Sequence, residues 1–160
     1  MEKETFLAAV ERHQDMVYRI ALHHFASPQD AEDTVQEVFL RLYTWEKPFD
    51  SPEHLRRWLI RVTVNVCRDA LRSPWRKRRI SLEELPAEPA FEQPEQAELY
   101  REVMKLPEKY RTVLDLFYYE ELSVREIGEL LHVRQSTVTT RLLRARKLLK
   151  TQLTEVWQNV

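Results

Sequence analysis

Glycine is almost absent from this 160-residue chain: Gly128 stands alone against eight prolines. No glycine-rich phosphate loop is therefore visible. Cysteine is equally scarce. Cys67 has no partner within the chain, so no internal disulfide can form, and its neighbours Val62, Val64 and Val66 fit a buried structural thiol better than a nucleophile. The five histidines (His13, His23, His24, His54 and His132) show no ligand spacing beyond the adjacent His23–His24 pair, and no Ser/His/Asp constellation is visible. No catalytic residue, metal site or cofactor is expected. Long apolar runs are missing too. Nothing approaches the roughly 20 residues of a membrane span, and MEKETFLAAV lacks the basic-then-apolar pattern of a signal peptide, so the expected location is cytoplasmic. β-branched runs are few while Ala, Glu, Leu and Arg abound, which predicts an all-α fold.

What the chain does have is charge, arranged in blocks. The net charge of −1 conceals −5 over residues 1–51, +7 over 52–79, −6 over 80–102, −2 over 103–133 and +5 over 134–160. Two basic blocks separated by an acidic stretch point to two nucleic-acid contacts on one chain.

The second of these blocks has the more definite pattern. Ser123 followed by Glu126 is a capping box, which predicts a helix from Val124 with Ile127, Leu130 and Leu131 on its apolar face. His132–Val133 is a short break, and a second helix is expected from about Gln135. There Val138, Leu142, Ala145 and Leu149 recur at spacings of four, three and four, one buried stripe. Ser136, Thr140, Leu143, Arg144 and Lys147 fall on the far side. From Arg134 to Thr154 there are six bases and no acid, so this is a helix-turn-helix whose second helix suits a major groove.

The first basic block also opens on a cap. Ser51–Pro52 predicts a helix through Arg72, with Leu55, Leu59, Val62, Val66 and Ala70 buried and Arg57, Arg61, Arg68 and Arg72 on the opposite side. Trp58 lies near the buried edge. The preceding loop, Trp45 to Asp50, bears aromatics, and bases beside aromatics suit single-stranded nucleic acid. Upstream, Ser27-Pro28-Gln29-Asp30 starts another helix. Its Ala31, Val35, Val38, Phe39 and Leu42 are expected to be buried, with Asp30, Asp33, Glu37 and Arg41 clustered on the outer face beside Gln36. Such an acidic face repels DNA and fits either plain solvation or a basic protein partner.

Taken together, DAEDTVQEVFLRLY (Asp30 to Tyr43), RRWLIRVTVNVCRDALR (Arg56 to Arg72) and LPEKYRTVLDLFYYEELSVREIGELLHVRQSTVTTRLLRARKLL resemble an extracytoplasmic-function sigma factor, from about Phe6 to Leu149. The resemblance implies two small helical domains joined by a flexible linker, the second ending in the helix-turn-helix. The first, residues 1–75, would bind the clamp of core RNA polymerase through Asp30, Asp33, Gln36, Glu37 and Phe39. It would capture and melt the −10 element through Lys47, Phe49, Ser51, Arg57, Trp58, Arg61 and Asn65. Residues 76–96, acidic and proline-containing, would be the linker, able to span at most roughly 70 Å. The third part, residues 97–160, would read duplex −35 DNA with Ser136, Thr139, Thr140, Leu143, Arg144 and Lys147. The implied role is promoter-specific transcription initiation, and the resemblance admits an anti-sigma factor as a further partner.

Three residues depart from the family pattern. His132 stands where the turn usually has glycine. Gly128 stands where alanine is general, which is expected to weaken the first helix by about 0.5–1 kcal/mol. Thr139 replaces a frequent lysine or arginine at a base-facing position, so a −35 preference does not transfer. The competing reading is a stand-alone helix-turn-helix regulator that binds duplex DNA without polymerase.

Overall fold

The computed structural model describes residues 1–71 and 93–158, which fall into two compact units, one on each side of the intervening stretch. Among the described residues all regular structure is helical, as the composition predicts. Arg72, the basic SPWRKRR run and most of the expected linker lie outside them.

The first unit is a three-helix bundle of α1 (Lys3–Phe25), α2 (Pro28–Tyr43) and α3 (Pro52–Leu71), each packed on the other two. Each boundary has a local cause. α1 stops at Ala26, which turns left-handed (φ 53°) and bonds its N–H to the Leu22 carbonyl. Ser27 then accepts a hydrogen bond from Asp30 N, with Pro28 in the first helical turn, and α2 begins. The same pattern opens α3, where Ser51 Oγ accepts from His54 N at 3.0 Å ahead of Pro52. Val17, Ile20 and Ala21 of α1 meet Ala31, Val38 and Leu42 of α2 and Leu59, Ile60, Val64 and Cys67 of α3 in a sealed core.

Two placements differ from the sequence reading. The buried face of α3 is Leu59, Ile60, Thr63, Val64 and Cys67, with Trp58 at its edge, whereas Leu55, Val62, Val66 and Ala70 are only partly covered. Apolar residues occupy so much of this helix's circumference that periodicity alone does not choose a side; packing against two helices at once does. Thr63 can join the core because its hydroxyl donates to the Leu59 carbonyl at 2.6 Å. The second difference is Asp30, expected on the outer face of α2 and buried instead in its first turn.

Histidine serves α1 structurally. His23 and His24 donate from Nδ1 to the carbonyls of Arg19 and Ile20 at 2.8 and 2.9 Å. Burial, with Arg12 and Arg56 adding repulsion, holds the His13 imidazole below its ordinary pKa. No group of three metal-ligating side chains occurs among the described residues. None of the described helices is long and apolar enough to cross a membrane.

The second unit contains α4 (Pro94–Met104), α5 (Glu108–Leu114), α6 (Val124–Leu131) and α7 (Gln135–Gln158). α4 begins inside the stretch expected to be linker, because Pro94 opens a helix as an N-terminal proline. α5 runs into a single π-helical turn, Asp115–Tyr119, that leaves Tyr118 and Tyr119 exposed. Beneath it, the buried Arg111 guanidinium donates to the Leu106 carbonyl at 2.7 Å. α7 is the spine against which α4, α5 and α6 all pack. Val138, Leu142 and Ala145 are buried and Leu149 is partly so, which is the expected stripe.

Candidate nucleic-acid interface

The helix-turn-helix forms from local chemistry that is all visible in the structure. Ser123 Oγ accepts from Glu126 N, and the Glu126 carboxylate accepts from Ser123 N, both at 3.1 Å, the complete capping box. α6 ends where His132 takes φ 56°, the left-handed conformation usually given to glycine, and Gly128 O receives N–H groups from both His132 and Val133. Gly128 corrects the sequence reading. A β-carbon there would lie 2.9 Å from the Val133 carbonyl oxygen, so alanine would strain the turn rather than strengthen the helix. The turn folds directly onto the glycine.

From that turn α7 presents Ser136, Thr139, Thr140, Leu143, Arg144 and Lys147, all exposed, on the side away from Val138, Leu142 and Ala145. These are the six residues the sequence reading assigned to duplex DNA, and the helix brings them together. Thr140 spends its hydroxyl inward, donating to the Ser136 carbonyl at 2.9 Å. Arg146 is directed elsewhere. Its Nε donates to the Tyr118 hydroxyl at 2.5 Å, and its guanidinium lies 5.6 and 5.4 Å from the Phe117 and Tyr118 ring centres. Tyr118 is 28 positions away, a contact that no helical periodicity could have revealed.

In the first unit, the loop before α3 is an aromatic cluster centred on Trp58. Trp45 lies 5.2 Å and Phe49 5.6 Å from it, ring centre to ring centre. Trp58 is 9% exposed and Trp45 36%, so Trp58 is the base of the cluster and Trp45 its open side. Lys47 places its ammonium 5.9 Å from the Trp45 ring centre. His54 closes the loop, accepting from Asp50 N at 3.0 Å while its ring meets Phe49 edge-on. Trp45 and His54 were not among the expected contact residues; an aromatic loop bounded by a capped helix was the available signal. Ser51 is occupied as the cap of α3, and Arg57 pairs with Glu53 at 3.0 Å. Arg61 is exposed beyond it and Asn65 partly covered.

On α2, Asp33 and Gln36 are exposed and Glu37 partly so, held at 2.9 Å by Arg41. Asp30 and Phe39 are buried and stand behind this face rather than on it. Phe39 lies on the apolar stripe; Asp30 lies in the first helical turn, where Ser27 and Thr34 bond its backbone.

Comparison with known proteins identifies the family. Residues 9–77 match sigma-70 region 2 and residues 96–149 match sigma-70 region 4. The chain is 31% identical to the ECF RNA polymerase sigma factor SigW of Bacillus subtilis, covering 97% of this chain and 92% of SigW. It is 35% identical to the ECF RNA polymerase sigma factor SigE of Mycolicibacterium smegmatis, over 90% of this chain and 60% of SigE. The fold is shared with the sigma factor RpoE of Bartonella quintana, crystallised with the anti-sigma factor NepR, at a TM-score of 0.72 and 19% identity over 94% of this chain and 98% of RpoE. With both conserved regions matched in order and one relative followed over nearly its whole length, the chain belongs to the extracytoplasmic-function sigma factors of RNA polymerase.

Proposed function

We propose that this sigma factor, which binds core RNA polymerase and directs promoter-specific transcription initiation, distributes its contacts over three surfaces. Asp33, Gln36 and Glu37 on α2 dock on the polymerase clamp. The Trp45–Asp50 loop and the start of α3 hold the melted −10 strand. α7 reads the −35 duplex, with Ser136, Thr139, Thr140, Leu143, Arg144 and Lys147 toward the groove. Residues 76–93 are assigned as the connecting linker, since Pro94 already opens α4, between a domain over 1–75 and one over 94–160. The carrying observation is the capped α6, its left-handed turn at His132 and an α7 whose outward face is basic, hydroxyl-bearing and free of acid from Arg134 to Thr154. The chain is not an enzyme in this reading; RNA synthesis belongs to the polymerase, and the site of action is the cytoplasm. RpoE of Bartonella quintana is held by an anti-sigma factor, and a partner of that kind is proposed here too.

Charge decides the test. Like charges brought together at an interface cost several kcal/mol, whereas the exposed Glu37–Arg41 pair lost in the variant contributes only about 0–1 kcal/mol. Asp33→Lys combined with Glu37→Lys is therefore expected to abolish co-elution with core polymerase while the helical circular-dichroism signal stays intact. Unchanged co-elution would remove the docking assignment and place the polymerase contact on another surface.

A further inference from the structure

The middle of the groove-facing stripe is apolar. Ser136, Thr140, Leu143 and Lys147 repeat the four-three-four spacing of the buried stripe two residues out of step, which places them roughly 200° around the helix from it. Leu143 stands at the centre with 58% of its surface in solvent. Beside it, the Thr140 hydroxyl is turned back onto the Ser136 carbonyl, which leaves the γ-methyl as its outward group. Hydrogen-bonding groups lie at the margins of this patch, on Ser136, Arg144 and Lys147. In a major groove the apolar group on offer is the C5-methyl of thymine, which neither cytosine nor a purine edge presents.

We propose that Leu143, with the Thr140 methyl beside it, reads thymine C5-methyl groups in the −35 duplex. The proposal rests on the reading of α7 as the −35 helix and adds what that helix recognises. Such a contact distinguishes thymine from uracil, whose hydrogen-bonding edge is identical and which lacks only the methyl. Removing one methyl from water contributes about fourfold in affinity.

The full chain with core polymerase would be used to select from duplexes randomised over the −35 element. The enriched duplex is then remade with deoxyuridine in place of one thymidine at a time. Wild-type holoenzyme is expected to bind about fourfold more weakly at one or two positions, and Leu143→Ala holoenzyme to bind the two forms alike at those positions. Because Leu143 is exposed, its truncation leaves the core untouched, and an unchanged circular-dichroism spectrum verifies this. Equal binding of both forms by the wild type at every position overturns the methyl contact and leaves the −35 reading standing. A uracil penalty that persists in Leu143→Ala overturns the role of Leu143. Absence of any enriched −35 sequence overturns the proposal together with the reading beneath it.

Discussion

Gly128 and His132 are two halves of one turn. His132 bears the left-handed conformation, which costs an L-residue with a β-carbon roughly 1–2 kcal/mol, and Gly128 makes room for the backbone that this conformation folds back. Ala26 and Glu121 hold the same conformation elsewhere, so a chain with a single glycine uses it for close approach and, among the described residues, leaves all three left-handed positions to other residues. The strain at position 132 was legible through the family resemblance, in which that turn usually carries glycine. The role of Gly128 was not, because it depends on a carbonyl oxygen five residues on. His132→Gly is expected to stabilise the second unit by about 0.5–1 kcal/mol, and Gly128→Ala to destabilise it by about 1–3 kcal/mol. Urea unfolding followed by circular dichroism measures both. A Gly128→Ala protein with the wild-type midpoint would show that the turn relaxes at no cost.

Among the elements, legibility followed how strongly one face differs from the other. α7 was readable because its buried stripe is apolar and its opposite face basic. α3 was not, since Leu55, Leu59, Ile60, Val62, Val64, Val66 and Cys67 spread apolar side chains over more than half of its circumference. On α2 the acidic face was found, yet Asp30 was misplaced because helix periodicity does not register that a first-turn carboxylate can be buried. The loop before α3 is where sequence and structure add most to each other. Its aromatics were visible, but their convergence on Trp58 was not. Replacing Lys47 to Asp50 by Gly-Ser-Gly-Ser removes the Phe49 contacts with Trp58 and His54 and the Lys47 contact with Trp45. An extruded base needs such a pocket, whereas duplex contacts do not. The replacement should therefore leave closed-complex formation largely intact and block the open complex. Permanganate footprinting reads this directly, and normal thymine reactivity would reduce the loop to a connector.

For the molecule as a whole, sparse glycine, few β-branched runs and capped amphipathic segments made the helical fold class plain, while the two units were implied by the family resemblance. Contacts between segments far apart in sequence stayed hidden, and the one between Arg146 and Tyr118 reaches furthest in its effect. Each phosphate that a protein cation neutralises frees condensed counterions, so the logarithm of affinity falls with the logarithm of ionic strength by about 0.9 per contact. The stretch from Arg134 to Lys150 carries six cations, but Arg146 is engaged by the Tyr118 hydroxyl and two aromatic faces. For holoenzyme on a fixed promoter, Lys147→Ala should make that dependence shallower by about 0.9, and Arg146→Ala should leave it unaltered. An equal change in both variants would mean that Arg146 leaves its aromatic bracket to reach the backbone. Held as it is, it ties the π-helical turn to α7, and a stretch of six cations offers at most five to the phosphate backbone.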